Sequence, residues 1–263
     1  DCVDLPERTD LRRSVHMTPR QSESYWSMAE SLVAELRNEE LGDATTAEAE
    51  ITLTKLMKLR QITSGFLIGN EDKIVHLERN PKVAELDDIL EENSGRKCVV
   101  SIQFREEIEL LLSRYKHLGV QAIYGDGSSP EEKLRRVRHF QDDPAAKLML
   151  LQAKSAGHGL TLTAASLFVH FSLDYNFDSY YQVGKRIQRL GQKEKMTFFH
   201  LLAVHPDGEP TIEHDILDAL GTKAGYRSSL FSGRAGEEGP SLADMAEQLT
   251  SRLTAQVERH NSK

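Results

Sequence analysis

The chain is predicted to fold as an α/β layer protein, a mostly parallel sheet flanked by helices, with helical segments added before and after it. Three observations carry this. From residue 97 onward short apolar runs alternate with helical stretches: strand candidates are Lys97–Ile102, 120–124, 147–151, 167–173 and Met196–Val204, with helices near 105–117, 130–142 and 178–190. The runs are nearly continuous in apolar residues, as strands covered on both faces require. At 263 residues and 39% hydrophobic, the chain can bury one sizeable core with a smaller appendage.

The elements follow in order. Residues 14 to 78 read as helical. Thr18-Pro19-Arg20-Gln21 offers an N-cap, a first-turn proline and a glutamine at the capping-box position. A second helix runs through Ile51, Leu53, Leu56 and Leu59, with Gly65 as its stop. From Pro81 a helix carries Val83, Leu86, Ile89 and Leu90 and ends near Gly95. Ser129-Pro130-Glu131-Glu132 marks another helix start, with serine as cap and glutamate three residues on. After a helix at 211–222, residues 228–240 are turn-rich and read as a linker. Leu242, Met245, Leu249, Leu253 and Val257 then space out a last amphipathic helix. The expected organisation is 1–78 as a linker with a helical appendage, 79–225 as the α/β lobe, and 226–263 as a linker with a terminal helix.

Composition narrows the function classes. No apolar run approaches the roughly 20 residues that span a bilayer, and no signal-peptide pattern opens the chain. Because Asp1 stands where a methionine would start, the sequence reads as a piece of something longer. Cys2 and Cys98 show no metal-ligand spacing, which fits a reducing, cytoplasmic setting, and no metal site is expected. The net charge of −8 opposes binding of nucleic acid over the whole surface, yet Lys133, Arg135, Arg136 and Arg138 cluster, as do Lys185, Arg186, Arg189, Lys193 and Lys195.

The most informative segment is QVGKRIQRLGQ, residues 182–192. On a helix Gln182, Arg186 and Arg189 share one face, while Val183, Ile187 and Leu190 form a buriable stripe beside them. Two guanidiniums held in parallel suit a triphosphate, since each fork can donate bidentately; a solvated charged face is the bland alternative. The loop SAGHGLTL, residues 155–162, follows a strand and brings Gly157 and Gly159 where backbone N–H groups can approach a phosphate. A dinucleotide fingerprint would need a third glycine where Leu162 stands, and a plain tight turn explains the loop equally well. Asp174, at a strand's carboxyl end, is placed to organise a site or to cap the next helix.

Taken together these segments resemble the second lobe of Swi/Snf-type motors of helicase superfamily two. Gln182, Arg186, Arg189, Gly191 and Gln192 match the spacing of that family's motif VI. Residues 153–166 resemble motif V, residues 97–104 motif IV, and residues 167–176 the strand and D-x-W-N-P stretch. YGDGSSPEEKLRRVRHFQDD, residues 124–143, resembles the family's glycine-then-helix segment, and residues 211–223 its brace helix. MTPRQSESY and KLRQIT resemble the region introducing the second lobe, so the likeness covers residues 3 to about 225 in order. Departures are Ala156 and Thr161 in motif V, where a glycine and an asparagine are usual, and Tyr175 and Phe177 for Trp and Pro. His158 at the variable position resembles bacterial or phage-type members.

The resemblance implies a RecA-like lobe contributing to an ATP site shared with an N-terminal RecA-like lobe, and acting on double-stranded DNA in the cytoplasm or nucleoid. It implies Arg189 as arginine finger with Arg186 beside it, and Gln182, Gly157, Gly159 and Asp174 around the nucleotide. DNA contacts are implied for Gln103, Arg105, Gly127, Ser128, Lys154, Ser155 and Thr161. No G-x-x-x-x-G-K-[ST] loop and no D-E-x-H box occurs in the chain. Mg²⁺ is therefore expected on the first lobe, and the chain alone is expected not to hydrolyse ATP. Two rivals stay open: a degenerate lobe serving as an interaction module, and a nucleotide-cofactor enzyme using the glycine loop.

Overall fold

The computed structural model describes residues 5–38, 46–68, 73–77, 79–152, 155, 160–231 and 242–262. The chain divides into two compact units, one formed by residues 1–14 with 82–201, the other by residues 15–81 with 202–263.

The first unit holds a six-stranded sheet. Its strands are β1 (Arg8–His16), β4 (Lys97–Ile102), β5 (Gln121–Ile123), β6 (Leu148–Gln152), β7 (Ala165–His170) and β8 (Met196–Val204), in the order β1-β8-β7-β4-β6-β5. From β8 across to β5 all neighbours are parallel. The predicted strands are thus present, two with the predicted bounds and three shifted by one to three residues. Their runs are buried as a two-sided sheet demands: every residue of β7 and all of β4 beyond Lys97 lie in the core. Against them pack α3 (Pro81–Glu92), α4 (Arg105–Arg114), α5 (Pro130–Asp142) and α6 (Phe177–Gly184). Phe140 and Val137 of α5 join Phe168, Met149 and Phe198 of the sheet in one cluster.

Strand β1 was not among the expected elements. Its sequence RTDLRRSVH is charged and mostly exposed, as edge strands are. Two cations hold it by their flat faces: Arg8 lies 3.8 Å over the Phe198 ring and Arg13 5.3 Å over Phe199.

The second unit is built on α1 (Pro19–Asn38), α2 (Thr46–Thr63), α7 (Ile212–Phe231) and α8 (Leu242–Asn261). The capping box at Thr18 closes as predicted. The Thr18 N–H donates to Gln21 Oε1 at 3.0 Å, and the Gln21 N–H donates to Thr18 Oγ1 at 3.2 Å. Gly65 stops α2 with φ +83°, a value other residues resist. Residues 14–78 are not helical throughout, because a short antiparallel hairpin of β2 (Phe66–Ile68) and β3 (Ile74–His76) follows α2. Helix α7 runs on to Phe231, into the expected linker; 232–240 lie outside the described residues. Glu213 ties this unit together, accepting from Thr63 Oγ1 at 2.9 Å and from the Ala203 N–H at 2.8 Å. Among the described residues no helix is long and apolar enough to cross a membrane.

Candidate functional site

Arg186 and Arg189 bond residues 160 and 161, on the way to the amino end of β7, whereas Gln103, Ser155 and Asp174 follow β4, β6 and β7 at the carboxyl edge, where parallel α/β folds place their ligands. Helix α6 starts there, but not on Asp174. Asn176 is the N-cap, its side chain accepting from the Ser179 N–H at 2.8 Å, while Asp174 accepts from the Tyr175 N–H at 2.8 Å. The default capping role of Asp174 is therefore corrected.

A larger correction concerns α6 itself. It ends at Gly184, and residues 185–191 continue as turns, so Gln182 alone of the three polar residues is on the helix. Past Gly184 the backbone bonds tighten, the Arg186 N–H donating to Val183 O and the Ile187 N–H to Gly184 O, and the next carbonyls are taken from elsewhere. The Leu162 N–H donates to Arg186 O at 2.9 Å, and Gln192 Nε2 donates to Ile187 O at 3.2 Å. Those carbonyls would otherwise accept further helical bonds. Val183 and Ile187 are buried as expected, whereas Leu190 is 76% exposed and does not continue the stripe. Gly191, at φ +100°, turns the chain back toward β8.

Both arginines nonetheless converge. Arg186 Nη1 donates to Leu160 O at 3.4 Å, and Arg189 Nη1 donates to Thr161 Oγ1 at 3.3 Å. Each is thereby tied to residues 160–162, the end of the glycine loop. Burial first, and then the charge of Arg189, hold Arg186 below the usual guanidinium range. Gln192 pins the whole turn: Nε2 also donates to Ala165 O at 2.7 Å, and Oε1 accepts from the N–H groups of Lys193 and Glu194. Sequence reading caught Gln192 only as a motif letter; its burial and fourfold bonding are tertiary facts.

Along the carboxyl edge, the Gln103 N–H donates to Ser172 Oγ at 2.9 Å, next to a buried Glu107 that accepts from the Phe104 N–H at 3.1 Å. Arg105 is exposed and bonded to Glu109 at 2.8 Å. Ser129 caps α5 as predicted, accepting from the Glu132 N–H at 3.2 Å. Gly127 just before it has φ +76°. The basic cluster on α5 is less open than its sequence implies. Glu132 pairs with both Arg135 and Arg136, and Arg136 also bridges Asp126 at 2.7 Å and Ser128 Oγ at 2.8 Å. Although burial works the other way, bonds from Arg136 and Ser128 hold Asp126 well below the usual carboxylate range. Ser155 Oγ donates to Gln152 Oε1 at 2.8 Å. Lys154, Gly157 and Gly159 lie outside the described residues. Among the described residues no group of three or more His, Cys, Asp or Glu side chains stands ready for a metal.

Residues 81–191 match the helicase conserved C-terminal domain. An uncharacterized ATP-dependent helicase of Mycoplasma pneumoniae is 29% identical over 57% of this chain and 15% of its own. The chromatin-remodeling ATPase INO80 of Saccharomyces cerevisiae is 25% identical over 78% of this chain and 13% of its own. Among solved structures, the Sulfolobus solfataricus SWI2/SNF2 ATPase core in complex with dsDNA has a TM-score of 0.65 at 23% identity, over 87% of this chain and 47% of that one. The C-terminal domain of the same enzyme has 0.63 at 22%, over 94% and 96%. Residues 81–191 thus carry a helicase conserved C-terminal domain, and the chain resembles the C-terminal lobe of Swi/Snf-type ATPases. It spans less than a fifth of these curated relatives' length, and they come from bacteria and eukaryotes alike, so they do not favour a bacterial or phage-type origin.

Proposed function

We propose that this lobe completes an ATP site formed with a first RecA-like lobe, and that it grips the backbone of duplex DNA while doing so. Arg189 is the finger that stabilises charge on the transferred phosphoryl, with Arg186 steadying the same phosphates and Gln182, Asp174 and the glycine loop near the nucleotide. The observation that carries the reading is the tethering of both guanidiniums to residues 160–162. Two like charges brought together at a half-buried edge favour a polyanion between them. Because the finger reaches ATP from the opposite lobe, hydrolysis is coupled to closure of the cleft.

The DNA reading rests on Gln103, Arg105, Gly127, Ser128, Lys154, Ser155 and Thr161, hydroxyls and N–H groups suited to phosphates without reading sequence. It places the motor at the chromosome, in nucleoid or nucleus. The relatives' names and the DNA-bound Sulfolobus enzyme support it. Hydrolysis of ATP needs Mg²⁺; among the described residues no cluster of carboxylates stands ready to hold the ion, and its ligands are assigned to the first lobe. The test is Arg189→Ala in the two-lobe motor. DNA-stimulated turnover is expected to fall by about 10³-fold or more with the melting temperature unchanged. Near-normal turnover eliminates the finger.

A further inference from the structure

One residue outside every motif considered above joins three of the DNA-facing loops. Gln152 is the last residue of β6, and β6 lies between β4 and β5 in the sheet. Its carboxamide therefore stands between the loops that leave both neighbours. On the β4 side Nε2 donates to Gln103 O at 3.0 Å. On the β5 side Oε1 accepts from the Gly125 N–H at 3.2 Å, and from Ser155 Oγ, in the loop after β6 itself, at 2.8 Å.

The partners fix which end of the amide is which. Gly125 presents a backbone donor and Gln103 a backbone acceptor, so oxygen must face one and nitrogen the other. Only a side chain with both a donor and an acceptor at this reach satisfies the two at once. A carboxylate keeps the Gly125 and Ser155 half and loses the Gln103 half; an alkyl group loses all of it. The bonds continue outward on either side. Gln103 joins Ser172, which donates to Glu107 at 2.8 Å, and one residue past Gly125, Asp126 joins Arg136 and accepts from the Ser128 N–H at 3.0 Å.

We infer that Gln152 is a positioning residue that couples the Gln103, Gly125–Ser128 and Ser155 loops into one rigid DNA-contact edge, without itself touching DNA. This rests on the DNA reading proposed for those loops. Freed from one another, three phosphate contacts have to be ordered separately on binding, and that ordering cost appears as a weaker DNA requirement with unchanged chemistry.

The test uses Gln152→Leu, Gln152→Glu and Ser128→Glu. In the 263-residue chain, amide hydrogen exchange at Gly125 is expected to accelerate in Gln152→Leu and to stay slow in Gln152→Glu. In the two-lobe motor, Gln152→Leu is expected to raise the duplex concentration for half-maximal ATPase stimulation about tenfold. Turnover at saturating DNA and KM for ATP should stay within about twofold, and Gln152→Glu should recover part of the loss. A Gly125 amide that stays protected in Gln152→Leu overturns the coupling. So does a fall in turnover at saturating DNA shared equally by both Gln152 variants, which marks general structural damage. If Ser128→Glu weakens the DNA requirement while Gln152→Leu does not, the coupling falls and the DNA reading stands. If Ser128→Glu has no effect on it either, the DNA reading of this edge is what fails.

Discussion

At the residue scale the two arginines are not equivalent. Arg186 is 5% exposed and locked at both ends, its carbonyl taken by Leu162 and its guanidinium by Leu160. Arg189 is half-buried and set by a single side chain, since Thr161 Oγ1 accepts from its Nη1 at 3.3 Å. At a position where the resembled motif usually has asparagine, a hydroxyl holds the proposed finger. Thr161→Val keeps the shape and removes the acceptor. A hydrogen bond to a charged group is worth about 1.5–3 kcal/mol, and at this length the lower figure applies, so turnover in the two-lobe motor is expected to fall about tenfold. KM for ATP should stay within about twofold, and Thr161→Ser should restore the rate; steady-state ATPase assays of the three variants decide it. Equal turnover in Thr161→Val would assign the bond no part in aiming Arg189.

At the element scale, what was legible follows from what each segment is buried against. Strands β4 and β8 were readable to their ends because two-sided burial demands an unbroken apolar run, and KCVVSI and MTFFHLLAV supply one. Edge strand β1 was illegible because its cations lie flat on Phe198 and Phe199, a contact no spacing reveals. Helix α6 was drawn too long because the carbonyls just past it, on Arg186 and Ile187, are claimed by Leu162 and Gln192. So motif spacing picked out two arginines that do come together, while a shared helical face is not the reason they meet. A feature wholly hidden from pattern reading is the aromatic stack between β7, β8 and α6. His170 lies stacked on both His200 and Tyr180 at 4.7 Å, and Tyr180 Oη is 2.9 Å from His200 Nε2. Burial above all, with Arg8 adding to it and Asp10 opposing, lowers His200 to about 4; burial, His200 and Arg8 push His170 well below its ordinary value. Between pH 6.5 and about 4 the unfolded chain binds protons that these rings refuse, so acid in this window favours unfolding. For His200 the full window corresponds to on the order of 3 kcal/mol. His200→Gln keeps a partner for Tyr180 and removes the titration. Its melting temperature should fall less steeply than that of the unaltered chain between pH 6.5 and 4.5; parallel profiles would show that the ring does not titrate against folding.

At the scale of the whole molecule, the proposed function divides between two places on the lobe. Arg186 and Arg189 follow α6 and bond residues 160 and 161, which precede β7, and the Gln152-linked loops follow β4, β5 and β6. Neither is complete by itself. As proposed, the arginines supply charge to a transition state, yet no G-x-x-x-x-G-K-[ST] loop and no D-E-x-H box occurs in this sequence. A finger is worth roughly 10³–10⁵ in rate, or about 4–7 kcal/mol, only when the nucleotide is already held in line with an attacking water. Without that positioning the two guanidiniums offer ATP a screened surface attraction, which falls with ionic strength. The 263-residue chain is therefore expected to show no ATP turnover above buffer, with or without duplex DNA, and to bind ATP no tighter than about 1 mM, the affinity dropping as salt is raised. Calorimetric titration at two salt concentrations and a coupled ATPase assay measure both. Sustained, DNA-stimulated turnover by the chain alone would mean that a phosphate cradle exists within it, and that the arginines act on a nucleotide this lobe binds by itself.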